Sequence, residues 1–187
     1  MRVDADDFAR PCGDGKMHHE IKEILIEPGA VNALEEAMSE GFLKEYISPL
    51  LICDTNTCKA TEKLMEDIFD RCQVLVLDAD DLQADQHAIE IVENYMDEDI
   101  DLILAVGSGT VHDISRYVAF QYKIPFISVP TAASAEGFVS TEAEMVWNGQ
   151  KKNDSRGSTN CRICRYGYFC KRADRTEPFR SNKSEQQ

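Results

Sequence analysis

Short runs of residues that are apolar almost from end to end recur along this chain, and each is followed by a stretch with helical periodicity. Pro49-Leu50-Leu51-Ile52-Cys53 is one such run, residues 102–106 (Leu-Ile-Leu-Ala-Val) a second, and residues 125–129 (Pro-Phe-Ile-Ser-Val) a third. A strand with one wet face alternates apolar and polar side chains, so a strand without that alternation is covered on both faces. The intervening segments repeat their apolar residues every three or four positions: Val31, Leu34 and Met38 in 30–39; Leu64, Ile68 and Phe69 in 59–69; Ile89, Val92 and Tyr95 in 85–96. A further helix is expected over 111–120, and further strands over 21–27 and 74–77. Met145-Val146-Trp147 with Asn148-Gly149 reads as a strand and turn. The alternation predicts an α/β fold, βαβ units forming a Rossmann-like parallel sheet. Ligands of such sheets bind beyond the carboxyl ends of the strands. Asp54, residues 107–110 and residues 131–137 all follow strands, so three polar or glycine-rich loops are expected to converge on one edge.

Charge narrows the partners. The net charge is -14, from 34 acidic and 20 basic residues, a field that repels nucleic acid and anionic membrane surfaces. No run of about 18 apolar residues could span a bilayer, and residues 1–16 lack the basic and apolar regions of a signal peptide. The sequence therefore reads as cytoplasmic, with no nucleic-acid or membrane partner. Seven cysteines, an odd number in a chain without an export signal, read as reduced thiols.

Ala105-Val106-Gly107-Ser108-Gly109-Thr110-Val111-His112-Asp113 is the sharpest motif. A strand runs into two glycines and then a helix. Glycines let a backbone approach phosphate oxygens, and the amides of a helix N-terminus donate to them. The motif lacks the third glycine of Gly-x-Gly-x-x-Gly and the lysine of a P-loop. The same residues also suit a tight turn with Thr110 as the helix cap. Asp54, at a strand end, could accept from ribose hydroxyls or simply cap a helix. In Thr131-Ala-Ala-Ser134-Ala-Glu136-Gly137, small residues admit a flat ligand, Thr131 and Ser134 could position it, and Glu136 is the one charge; a plain surface loop is the other reading. A lone His112 beside Asp113 reads as structural, because sequence neighbours point to different sides of a helix. Cys161-x-x-Cys164 has no second pair and reads as neither a zinc nor a redox site.

Residues 101–113, Ile124-Pro-Phe-Ile-Ser-Val-Pro-Thr131 and Ser134-Ala-Glu-Gly-Phe-Val-Ser140 together resemble the bacterial glycerol-1-phosphate dehydrogenases of the AraM type. These are grouped with the dehydroquinate synthase-like, metal-dependent polyol dehydrogenases. The resemblance covers about residues 20–152. It implies an N-terminal α/β domain that binds NAD or NADP. Asp54 would contact the adenosine ribose, and Gly107, Gly109, Thr110, Val111, His112 and Asp113 would hold the pyrophosphate. Thr131 and Ser134 would line the dinucleotide site, and Ser140 would reach the nicotinamide. Glu136 stands where the family has an aspartate that touches a small phosphorylated substrate, one methylene longer. The family also implies a homodimer and a C-terminal helical domain whose Asp and two His hold Ni or Zn, and no segment here matches those ligands. A non-catalytic nucleotide-binding module and another polyol dehydrogenase of the superfamily remain alternatives.

Composition shifts near Asn153. Residues 154–187 carry a net +4 and residues 1–153 a net -18, and three of the seven cysteines (Cys161, Cys164 and Cys170) fall in the last stretch. Residues 160–174, written as degenerate codons and read from the second base, permit Ile-Ala-x-Phe-Ala-Asp-Thr-Asp-Ile-Phe-Ala-Asn-Ala-Pro, which resembles the family segment that follows. The expected division is an N-terminal extension over 1–19, a dinucleotide-binding α/β domain over 20–153, and an out-of-frame, unstructured tail over 154–187, with the helical metal domain missing. A chain so built is expected to be inactive.

Overall fold

The computed structural model describes residues 2–3, 10–11, 17–18, 24–26, 28–131, 143–154 and 168–170. Its elements run β1 (Arg2–Val3), β2 (Arg10–Pro11), β3 (Met17–His18), β4 (Ile24–Ile26), α1 (Ala30–Ser39), β5 (Pro49–Asp54), α2 (Thr55–Thr61), α3 (Glu66–Phe69) and β6 (Gln73–Leu77). They continue with α4 (Gln86–Tyr95), β7 (Leu102–Gly107), α5 (Gly109–Tyr122), β8 (Phe126–Pro130), β9 (Ala143–Trp147), β10 (Gln150–Asp154) and β11 (Tyr168–Cys170). Seven described strands form one sheet in the order β1-β4-β11-β8-β7-β5-β6. Its pairings are parallel except where β1 meets β4.

Every residue of β5, β7 and β8 is buried, as their unbroken apolar runs predict. Successive side chains of a strand point to opposite faces, and the cores follow that rule. Leu50, Ile52, Ile103 and Ala105 join one core with Val92 of α4 and Ile114 and Val118 of α5. Leu51, Cys53, Leu102, Leu104 and Val106 join the other with Leu34 of α1 and Ile68 of α3. The chain leaves β5 through α2 and α3 on the second face and leaves β7 through α5 on the first. Adjacent strands whose exits lie on opposite faces leave a crevice between them at the sheet's carboxyl edge, so topology puts the opening between Asp54 and Gly107.

The structure departs from the sequence reading in several places. The helix expected over 59–69 is two helices, and it starts at Thr55 because Asp54 caps it directly. Leu64, assigned to its apolar face, is 44% exposed, while Met65 takes the buried place at 2%. The last helix starts at Gly109 rather than Val111, and Thr110 is not its cap; Ser108 holds that position. The strand and turn around Trp147 form a hairpin, with Asn148 and Gly149 both at positive φ, 51° and 74°. Within the stretch expected to be an unstructured tail, Asp154 ends β10 and Tyr168–Cys170 pairs in parallel with β4 and β8; its other residues lie outside the described ones. Cys53, Cys58 and Cys72 are free thiols, and among the described residues no helix is long and apolar enough to cross a membrane.

Candidate functional site

Strand register brings the candidate residues to one edge. Cys53 pairs with Val106 and Gly107 with Pro130, so Asp54, Gly107 and Thr131 follow one another across three adjacent strands. The Thr131 amide donates to the Gly107 carbonyl at 3.0 Å. The expected convergence of loops holds for these residues. Ser134, Glu136 and Ser140 lie outside the described residues.

The two glycines of the turn do different work. A Cβ at Gly107 would stand 2.9 Å from both Cβ and Cγ2 of Val111, a stiff branched side chain, so Gly107 lets α5 close down onto β7. Among the described residues, its chain neighbours and own helix backbone aside, a Cβ at Gly109 would meet nothing within 4 Å. Helix α5 starts there, and the Ser108 side chain makes no capping bond. The first amides of a 14-residue helix thus face the crevice without a side-chain cap. Such amides carry the positive end of the helix dipole and suit an anion.

Below the turn sits His112, 1% exposed. Its Nδ1 lies 2.7 Å from the Ser108 carbonyl, which can only accept, so Nδ1 bears the hydrogen. The same carbonyl accepts the His112 amide at 3.1 Å, so one residue pins the turn twice. Its Nε2 has no hydrogen-bond partner among the described residues, and the ring meets Phe126 edge-on at 6.2 Å. Burial lowers its pKa to about 4. His112 is therefore neutral near pH 7 and helps hold the loop. Asp113 turns the other way and binds Arg116 at 3.0 Å; burial raises its pKa, while Arg116 opposes the rise. The two make no dyad, as the sequence reading expects.

Asp54, 6% exposed, accepts from the Asn56 and Thr57 amides at 2.9 Å each, both on Oδ1. Thr57 Oγ1 returns a bond from the Asp54 amide at 3.0 Å, which completes a capping box. The capping alternative for Asp54 is thus realised. Asp54→Ala is expected to cost about 1–2 kcal/mol of stability in urea unfolding, and Asp54→Asn much less, since asparagine caps as well. The asparagine variant then isolates the charge: weaker dinucleotide binding at native stability would mark the carboxylate as a ligand contact.

Sequence reading missed one signal here. Asp54-x-x-Thr57 lacks the usual Glu or Gln at its fourth position, which hid the cap. Residues 78–81 (Asp-Ala-Asp-Asp) follow β6 on the same edge. Cys53 and Cys72 are not nucleophile candidates, because burial pushes both thiols up, Cys72 to about 12. Among the described residues no group of three or more His, Cys, Asp or Glu could hold a metal ion, so these residues do not fit a metal centre.

Known proteins resemble this chain in the same region. It is 35% identical over 154 residues to a protein of Geobacillus stearothermophilus named glycerol-1-phosphate dehydrogenase (NAD(P)+), covering 78% of this chain and 37% of that one. A Bacillus velezensis protein of the same name is 34% identical over 139 residues, covering 71% and 34%. The chain thus spans little more than a third of these curated relatives. Among solved structures, the iron-containing alcohol dehydrogenase of Corynebacterium glutamicum superposes with a TM-score of 0.64 at 11% identity, over 79% of this chain and 39% of that one. Likeness at that identity speaks to the fold, a Rossmann-like α/β sheet. Residues 25–159 match the model described as iron-containing alcohol dehydrogenase, and the chain belongs to that family.

Proposed function

We propose that this chain carries the dinucleotide-binding part of an NAD(P)-dependent glycerol-1-phosphate dehydrogenase, the activity that interconverts dihydroxyacetone phosphate and glycerol 1-phosphate. The observation that carries the reading is that none of the described residues covers Gly109 or caps the start of α5 with a side chain, in the crevice between β5 and β7. The names of the relatives support the choice of reaction. The amides of Gly109, Thr110 and Val111 donate to the pyrophosphate, Gly107 and His112 hold their turn in shape, and Asp113 fixes the helix behind it through Arg116. Asp54 accepts from the adenosine ribose. Thr131 and Ser134 line the path to the nicotinamide end, where Ser140 and Glu136 meet the nicotinamide and the substrate. A bound nicotinamide supplies the hydride chemistry. The chain's own part is to bind, orient and exclude water on one side of it.

A second reading is a nucleotide-binding module without catalysis. In the family as the sequence resemblance has it, Ni or Zn polarises the alcohol from ligands in a separate helical domain. The proposal includes that this chain binds NADH but does not reduce dihydroxyacetone phosphate. Calorimetric titration of the full chain with NADH tests the first part. An assay with dihydroxyacetone phosphate, NADH and added Ni or Zn tests the second. Turnover at about 1 per second, ordinary for enzymes, would overturn the inactivity and leave the dehydrogenase reading standing. The out-of-frame reading of 154–187 is checked by resequencing the gene near codon 153. A cytoplasmic location and a homodimer of the restored protein complete the proposal.

A further inference from the structure

Two cysteines flank the cap at the start of α2. Asp54 is the N-cap of that helix, so Cys53 stands one residue before the cap and Cys58 is the fourth residue of the helix. These are the two positions whose side chains meet as an apolar staple across a helix start. Here both carry thiols, and both thiols are free. The packing follows the staple rule. Cys53 belongs to the core cluster that holds Leu34 of α1 and Ile68 of α3, and Cys58 packs against the same cluster. Cys53 is buried and Cys58 half-buried. Burial is the largest reason that the Cys53 thiol stands above its ordinary range; next come the neighbouring Cys58 and a hydrogen bond with it. The Cys53 thiol also reaches the Leu75 carbonyl of β6, at 4.0 Å.

Two thiols held against each other are what a disulfide needs, because its sulfurs bond at about 2 Å only where the two Cβ atoms are already close. The half-buried Cys58 is the one that a peroxide reaches. Hydrogen peroxide gives one oxygen to the Cys58 thiol, which becomes a sulfenic acid, and leaves as water. The Cys53 sulfur then attacks the Cys58 sulfur. The S–S bond forms, the S–O bond breaks, and the Cys53 proton departs with the hydroxyl as a second water. Buried Cys53 is a poor nucleophile toward anything in solution, but a sulfenic acid already beside it requires no encounter. The ring so closed contains Asp54 and Thr57, the capping box of α2. Drawing the two sulfurs from contact to bonding distance pulls the first turn of α2 toward the end of β5. The Asp54 carboxylate, held on Oδ1 by the Asn56 and Thr57 amides, moves with it.

We propose that Cys53 and Cys58 are a peroxide-sensitive thiol pair, and that their disulfide weakens dinucleotide binding at Asp54. The oxidation stands on the contact between the two thiols alone, and its effect on binding rests on the dinucleotide reading.

Residues 45–59 hold both cysteines between Lys44 and Lys59, with no other lysine or arginine, so trypsin releases the pair in one peptide. The full chain is reduced, treated with a few equivalents of hydrogen peroxide, denatured, blocked with iodoacetamide and digested. In mass spectrometry the peptide should be lighter by two hydrogens and carry no alkyl group. Dithiothreitol before the block should restore both thiols to alkylation. Calorimetric titration should show NADH binding about tenfold weaker or more after oxidation, as expected when a hydrogen bond to a charged group is lost, and recovered with dithiothreitol. Cys58→Ser should bind NADH as the native chain does and should keep that affinity in peroxide. If that variant does not fold, the peptide map of the native chain still decides. A Cys58 sulfinic acid beside a Cys53 still open to alkylation would overturn the pair, as would either cysteine joined to another part of the chain. A mapped disulfide with unchanged NADH affinity would overturn its effect on binding. Failure of the reduced chain to bind NADH would overturn the dinucleotide reading, while the disulfide would stand or fall on the map.

Discussion

Gly109→Val is expected to leave the protein folded and to weaken NADH binding by two to four orders of magnitude, while Gly107→Ala is expected to lose stability first. The contrast follows from what surrounds each glycine. A Cβ at Gly109 meets no atom of the other described residues within 4 Å, its chain neighbours and own helix backbone aside, and valine at the first position of a helix costs only a few tenths of a kcal/mol. The same side chain fills the space that a phosphate would take. Two or three charge-assisted bonds to backbone amides are then lost, about 3–6 kcal/mol of binding, which is the stated range of affinity. At Gly107 the added methyl instead meets Val111 at 2.9 Å. Val111 is fully buried and has one favoured rotamer in a helix, so α5 must shift away from β7. Overpacking of that kind costs about 1–3 kcal/mol. Urea unfolding and NADH titration of the same two variants separate the roles. Native NADH affinity in Gly109→Val would exclude this turn as a phosphate site, whatever becomes of Gly107.

That division between the glycines was not legible in the sequence, where both read as aids to close phosphate approach. The cause is long-range: the Gly107 contact exists only because α5 folds back over β7. Strands β5, β7 and β8 were legible because burial on both faces leaves an unbroken apolar run. The start of α2 was not, because Asp54 ends a strand and caps a helix at once, with no loop residue to signal the change. The break between α2 and α3 was hidden for a related reason. Leu64 and Met65 are both apolar, and periodicity cannot tell which of two neighbours turns inward; the exposed one proved to be Leu64. The edge-wise convergence of Asp54, Gly107 and Thr131 could be read from strand ends alone. The crevice between β5 and β7 could not, because it depends on which face each connecting helix takes. The short strand Tyr168–Cys170 lies in a stretch with no apolar period to announce it.

The acid limb of the stability curve is expected to carry the signature of His112. Burial lowers its pKa from the usual 6.5 to about 4 in the folded chain. Unfolding returns it to water and to its ordinary value. Between those limits the unfolded chain binds a proton that the folded chain refuses, so acid favours unfolding. The contribution is complete above about pH 6.5, falls by roughly 1.4 kcal/mol per pH unit below it, and reaches a loss of about 3 kcal/mol near pH 4. Asp113 works in the opposite sense. Burial raises its pKa despite Arg116, so the folded chain takes up that proton first, and acid is partly offset there. Two variants separate the groups. His112→Asn cannot titrate, yet its amide can still donate toward the Ser108 carbonyl; it should flatten the curve between about pH 6.5 and 4. Asp113→Asn removes the offset and should steepen the same limb. Urea unfolding of the three proteins at half-unit pH steps measures both slopes. An acid limb in His112→Asn as steep as that of the native chain would mean that the imidazole is reached by water or by a donor that lets it charge, and the neutral, loop-holding role assigned to it would fall.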